Sequence, residues 1–240
     1  MFFETRRPLV FAHRGGSALA PENTMAAFEN GMALGADGLE LDVHLSRDGV
    51  VVVHHDATLD RTTTLRGPLA ARTAEELGRA RVPTLASVLA RFPGVPIIIE
   101  IKVNTDAMAE AVLAVVGAAG ASARVCLGSF GLRVLRKARA LDPSIATSAA
   151  REEVRWALYR SWCRWPVRRA AYNGYQVPEW SGRTHVVSKQ FVDDAHRAGL
   201  QVQVWTVDDE ALARRLLDWG VDALITDRPD LIVPLCRSRK

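Results

Sequence analysis

The chain has 240 residues, with 31 Lys and Arg against 27 Asp and Glu for a formal net charge of +4. Hydrophobic residues make up 48% and charged residues 24%, which excludes a disordered, fibrous or disulfide-dense protein and allows a sizeable core. Taken over the whole chain, an excess of +4 is too weak to mark a nucleic-acid partner. In chain order, Met1 to Pro8 brings in Glu4, Arg6 and Arg7 before an apolar centre can form, so no signal peptide is expected. A strand is then expected over 9–13, a helix over 22–34 and a second strand over 38–43. Further strands are expected over 96–103, 124–129, 145–149, 172–177, 201–207 and 222–226. Helices are expected over 84–91, 106–118, 132–141, 152–163, 189–198, 209–219 and 229–235. Pro21-Glu22, Asp208-Asp209 and Pro229-Asp230 read as openings, and Gly35, Gly199 and Gly220 as closings.

Strand and helix alternate almost from end to end, and eight such units in this length suit a (β/α)8, or TIM, barrel. A doubly wound open sheet is the rival, but no G-x-G-x-x-G follows the first strand. One irregularity lies at 45–82, too long for an ordinary strand-to-helix loop; it is expected as a small insertion over the barrel mouth. No Pro/Gly/Ser linker marks a second domain, so residues 1–240 are expected to form one. Cys126, Cys163 and Cys236 match no zinc spacing and no C-x-x-C pair, which suits reduced thiols in the cytoplasm. No run approaches the ~18 apolar residues of a membrane span; the most apolar helical stretch, 107–123, carries Glu110 and two glycines. The location implied is cytoplasmic, with peripheral contact at a membrane open. No feature sets an oligomeric state.

In a barrel the functional groups sit at the C-terminal ends of strands. The first strand ends at His13-Arg14, the second contains Glu40-Leu41-Asp42 and the third Glu100-Ile101-Lys102. Residues two apart share a face, so Glu40 with Asp42, and Glu100 with Lys102, point inward, while Leu39, Leu41, Val43, Ile97, Ile99 and Ile101 pack against helices. Three converging carboxylates either join Arg14 and Lys102 in a structural ion network or hold a cation, and their convergence favours the cation. All-oxygen ligands select a hard divalent ion, Mg2+ or Ca2+, or Mn2+. His13 caps an apolar strand, and His54-His55-Asp56 ends the apolar run 50–53. An imidazole so placed is either structural or a general acid or base near neutral pH. His54 and His55 face opposite sides, so one of them serves; His44, His185 and His196 are read as surface or structural.

These residues resemble the glycerophosphodiester phosphodiesterases, a family of barrel enzymes. The resemblance runs in the family's order through HRGG at 13–16, PENT at 21–24, ELDV at 40–43, RDG at 47–49 and HDATLDRTT at 55–63. It continues through PTL at 83–85, EIK at 100–102, VWTV at 204–207 and TDRP at 226–229. It implies a metal-dependent hydrolase that releases an alcohol and sn-glycerol 3-phosphate. By the same resemblance His13 and His55 are the acid/base pair, and Glu40, Asp42 and Glu100 hold one divalent ion. Arg14 and Lys102 neutralise the phosphate, and Trp205 lines the pocket. The family pattern selects His55 over His54. His44 and Asp208 stand where family members often carry other polar residues, away from the chemistry implied.

Residues 152–172 read EEVRWALYRSWCRWPVRRAAY, with Trp156, Trp162 and Trp165 among Arg155, Arg160, Arg164, Arg168 and Arg169; Pro166 is expected to break the helix. The stretch is either an ordinary barrel helix with arginine stems over its outer face or a segment that meets anionic membrane. From Arg151 to Tyr172 the charge balance equals the +4 of the whole chain. Because some resembling enzymes cleave lysophospholipids to a lysophosphatidic acid, that activity stands as the alternative. A catalytically inactive lipid-surface binding module is a third reading, opposed by the retention of both histidines and all three carboxylates.

Overall fold

Short, mostly apolar strands buried on both faces are what shape this chain. A computed structural model describes residues 7–165 and 167–238. Its strands are β1 (Leu9–His13), β2 (Gly38–Leu45), β3 (Val51–Val53), β4 (Ile97–Ile101), β5 (Val125–Gly128) and β6 (Ala146–Thr147), followed by β7 (Gly174–Pro178), β8 (Trp180–Ser181), β9 (Thr184–His185), β10 (Gln201–Trp205) and β11 (Ala223–Thr226). The main sheet runs β6-β5-β4-β2-β1-β11-β10-β7, with every neighbouring pair parallel. A single parallel bridge, Ser148 to Gly174, joins the two ends. The result is a nearly closed eight-stranded parallel barrel, as the (β/α)8 reading requires.

Two layers of core follow from the pleat. Outward residues such as Leu39, Leu41, Val43, Ile97, Ile99 and Ile101 form one continuous cluster with the surrounding helices. Inward residues Phe11, Ile98, Cys126, Ala223 and Ile225 plug the barrel beneath its mouth. Full burial of each Leu, Ile, Val or Phe among them stabilises the fold by roughly 1.5–3 kcal/mol.

The helices are α1 (Met25–Ala33), α2 (Ala74–Arg79), α3 (Leu85–Arg91), α4 (Asp106–Ala118), α5 (Leu132–Leu141), α6 (Arg151–Trp162), α7 (Lys189–Arg197), α8 (Glu210–Asp218) and α9 (Pro229–Arg237). Thr24, Thr84, Thr105, Ser188 and Asp209 cap five of them through side-chain oxygens, each cap contributing about 1 kcal/mol. The first helix starts later than the expected residue 22. Asn23 has φ 56, outside the helical region, and Thr24 supplies the cap, which leaves Glu22 and Asn23 to bond Arg14 and Asp42.

The stretch 45–82 is more structured than its sequence suggested. β3 pairs antiparallel with β2, and α2 begins with a reciprocal capping box between Thr73 and Glu76. Val52, Leu59, Leu69, Leu77 and Val82 give this stretch a small core of its own. A second unforeseen feature is the β8–β9 hairpin after β7. α6 ends at Trp162; the expected break at Pro166 falls on a residue outside the described ones. Among the described residues, no helix is long and apolar enough to cross a membrane.

Candidate active site

The turn after β1 is built on glycine. Gly15 has φ +89, and a Cβ there would come within 2.6 Å of the Ala27 backbone, so only glycine lets the turn lie against α1. Gly31 on the facing helix is equally constrained, since its Cβ would meet the Gly15 carbonyl oxygen at 2.9 Å. Arg14 takes the left-handed conformation at φ 51, uncommon for a residue with a side chain. Its N–H donates to Glu40 Oε2 at 3.1 Å, and its carbonyl accepts from the Asn23 N–H at 2.9 Å. The backbone here is locked onto the mouth of the barrel.

Strand register does the rest. His13 lies beside Glu40, and Asp42 beside Glu100. Carboxylate oxygens of Glu40, Asp42 and Glu100 come within 4.8 Å of one another. Lys102 Nζ lies 3.1 Å from Asp42 and 3.2 Å from Glu100, and Asn23 donates to Asp42 Oδ2 at 2.9 Å. Arg14 Nε is 3.2 Å from that same oxygen, yet it is buried and lacks the alignment of a hydrogen bond. Asp42 thus has Lys102 as well as Arg14 beside it, whereas Glu40 has Arg14 and, at 3.8 Å, His13. Burial, then the neighbouring Asp42, push the Glu40 carboxyl up to about 8. Burial acts in the same sense on Asp42, but Lys102, Arg14 and Asn23 outweigh it and hold that carboxyl below its ordinary value.

Each candidate histidine is backed by a carboxylate. His13 Nδ1 sits 2.7 Å from Asp227 Oδ1, which also accepts from Ser17 Oγ at 2.5 Å. Burial disfavours the imidazolium, but Glu40, 3.8 Å from Nε2, and Asp227 overcome it and raise the His13 pKa. His55 Nδ1 sits 2.6 Å from Asp56 Oδ1. Asp56 in turn accepts from Arg61 Nε at 2.7 Å, Arg61 forks onto Glu22 at 2.7 and 2.8 Å, and Glu22 reaches Arg14 at 3.2 Å. The Arg61 guanidinium holds Asp56 far below the usual carboxylate range. Sequence reasoning assigned no role to Asp227, Asp56, Arg61 or Glu22, although the TDRP, HDATLDR and PENT segments contain them.

The remaining histidines stand apart from this arrangement. His54 is buried in the insertion, its ring nitrogens engaged by the Asp56 carbonyl and Thr62. His44 is buried too, 3.1 Å from the His55 carbonyl, which makes it structural. His185 stacks on Trp180 and His196 pairs with Asp222.

His13, Arg14, Glu40, Asp42, His55, Glu100, Lys102 and Trp205 all line one cavity of about 1010 Å³. Trp205 meets Phe130 edge to face at 6.0 Å. Beyond the polar end, the cavity continues as a cleft between the α6 residues Val154, Leu158, Tyr159 and Trp162 and the facing Trp180 and Val186. Two imidazoles, two cations and a compact acidic cluster at one end suit proton transfer around a bound phosphoryl group; the other end combines these apolar and aromatic side chains with Arg151 and Arg155.

Residues 13–231 match the glycerophosphoryl diester phosphodiesterase family. The chain is 30% identical over 250 residues, covering 97% of it and 99% of its relative, to a glycerophosphodiester phosphodiesterase of Caldanaerobacter subterraneus subsp. tengcongensis. It is 27% identical, over 91% of the chain and 82% of the relative, to a lysophospholipase D of Rattus norvegicus. Its fold superposes with a TM-score of 0.75 and 27% identity, over 97% of this chain and 98% of the other, on an Oleispira antarctica phosphodiesterase solved with its product sn-glycerol 3-phosphate. The family model, the relative and the barrel agree: this chain belongs to the glycerophosphoryl diester phosphodiesterase family and is a phosphoric diester hydrolase.

Proposed function

We propose that the chain, acting as a single barrel domain, hydrolyses glycerophosphodiesters to an alcohol and sn-glycerol 3-phosphate. His13 and His55 are the acid/base pair, and Glu40, Asp42 and Glu100 hold one divalent cation. The observation that carries this reading is the meeting of two carboxylate-backed histidines and a three-carboxylate cluster in one cavity. The donor set fits a hard cation: all its ligand atoms are oxygen, and Glu40 lacks the Lys102 contact that compensates Asp42. Mg2+ or Ca2+ is the ion proposed, with Mn2+ also suited. When bound, the ion supplies Lewis-acid polarisation of the phosphoryl group.

The chain's own residues perform the remaining steps. Arg14 and Lys102, both lining the cavity, are the positive charges that neutralise the phosphate. In both histidines the carboxylate engages Nδ1, which leaves Nε2 to exchange protons. One imidazole takes the proton of the attacking hydroxyl as its oxygen bonds to phosphorus. The other gives a proton to the departing alkoxide as the ester P–O bond breaks. Attack by water gives the products directly; attack by the neighbouring glycerol hydroxyl passes through a cyclic phosphate that water then opens. Trp205 packs at the cavity wall. Three free cysteines suit a cytoplasmic setting.

A second reading, lysophospholipase D activity releasing lysophosphatidic acid, is favoured by the cleft along α6, where Val154, Leu158, Tyr159, Trp162, Trp180 and Val186 give a lining suited to an acyl chain. The test is turnover of glycerophosphocholine and of lysophosphatidylcholine on one preparation, with Mg2+ or Ca2+ and with chelator. Release of glycerol 3-phosphate supports the first reading; a preference for the lysolipid installs the second. Turnover of neither substrate with metal bound overturns both. Replacing His13 with Ala is expected to lower kcat by roughly 10²–10⁴, and unchanged turnover would remove it from the mechanism.

A further inference from the structure

Large aromatic side chains are normally covered, yet α6 and the residues just beyond its C-terminus leave theirs in water. Trp156 is 67% and Trp165 66% exposed, and Tyr159 and Trp162 are exposed on the same helix. Across the cleft, Trp180 on the β8–β9 hairpin is exposed as well. Arg155, Arg164, Arg168 and Arg169 are interleaved with the first group, and Arg183 sits in the hairpin turn. Arginines elsewhere in the barrel are mostly held by carboxylates, as Arg139 is by Glu153 and Arg215 by Glu179. These five have no carboxylate partner among the described residues. From 151 to 172 there are six arginines against Glu152 and Glu153, so the whole chain's +4 excess is concentrated here.

We propose that this surface docks on an anionic lipid bilayer and presents the cleft mouth to it. Charge complementarity selects an anionic surface over a neutral one. Exposed indole and phenol rings select an interface, because each combines an apolar body with a polar tip and partitions to the headgroup boundary. Position supplies the third element. Tyr159 and Trp162 on one side and Trp180 on the other wall the cleft, so a membrane lying on these rims covers its opening. A substrate with one chain in the bilayer then reaches the histidines without crossing water. The inference rests on the proposed function only in treating the cleft as the substrate's entrance; binding to lipid does not depend on turnover.

The test uses the full-length protein with vesicles of phosphatidylcholine alone and of phosphatidylcholine and phosphatidylserine in equal parts. Expected is co-sedimentation with the mixed vesicles at low salt, weakening as salt is raised. Changing Arg164, Arg168 and Arg169 to Gln is expected to reduce partitioning roughly fivefold per residue, about a hundredfold together. A second variant, Trp156→Ala with Trp165→Ala, is expected to weaken binding to the same vesicles. Neither variant touches a cavity-lining residue, so turnover of glycerophosphocholine without vesicles should equal that of the wild type. Equal binding to both vesicle types overturns the proposal, as does binding unchanged in both variants. Retention on a single-stranded oligonucleotide without vesicle binding also overturns it. If glycerophosphocholine is not turned over while vesicle binding shows the expected pattern, the hydrolase reading alone fails.

Discussion

Glu40 is the residue whose chemistry is set most sharply by its surroundings. Its carboxyl, held near 8 in the folded metal-free protein, titrates near 4.3 in an unfolded chain. The folded state thus keeps a proton that the unfolded state releases, and the associated stability is complete below about 4.3 and lost as pH rises through about 8. The Tm of metal-free protein is expected to fall across that window, and Mg2+ or Ca2+ to abolish the fall by displacing the proton. Calorimetry on wild type and Glu40→Gln checks this: a variant with the full pH dependence would assign the titration to another group. Asp227 acts on His13 from a distance of 214 residues in sequence. The Asp227→Asn variant is expected to lose kcat by roughly 10²–10⁴ with KM little changed and a displaced pH profile; an unaltered profile would make its role merely structural. The barrel reading already set β11 beside β1, but the pairing itself was not legible, because nothing local to TDRP says that the Asp227 side chain turns onto the His13 ring. The carboxylates were legible, because Glu40-x-Asp42 and Glu100-x-Lys102 follow directly from strand alternation.

The insertion holds His55 in place through one residue on each side. Arg61 bonds Asp56 within the insertion and Glu22 in the segment leading to α1. Both carboxylates are depressed, Asp56 first by the Arg61 bond and Glu22 by Arg61 and Arg14 against an opposing burial effect. Their contribution is present above the ordinary carboxylate range and disappears as pH falls below it. With Arg61→Ala, amide exchange over 51–82 is expected to accelerate while β2 and β4 stay protected; uniform exchange would mean the insertion is held by its own core alone. Turnover is expected to drop with it, since His55 loses its backing. The elements of this region were the least legible. Thr73-Ala74-Glu75-Glu76 spells a capping box, but α2 has only six residues, too few for an apolar periodicity to show. The β8 and β9 strands have two residues each, below any alternation. By contrast α4 and α5 match expectation to the residue, because each carries more than two turns of pattern.

Across the whole molecule, the barrel is not equally strong around its circumference. β1, β2 and β4 pair through continuous registers and carry His13, Glu40, Asp42 and Glu100. The opposite wall is thin: β6 has two residues, and one bridge joins Ser148 to Gly174. Amides of Ala146 and Thr147 are expected to exchange faster than those of β2 and β4, and equal protection would show the closure to be as strong as the rest. The seam also stands beside α6, the wall of the apolar cleft. The acid/base and carboxylate candidates and the apolar cleft therefore lie in different halves of one ring. Head-group or acyl preference can drift through changes at 151–185 while the reacting half stays fixed. A chimera exchanging that segment with a relative's is expected to change substrate ranking and leave metal affinity as it was, which makes the barrel an enzyme with a replaceable half.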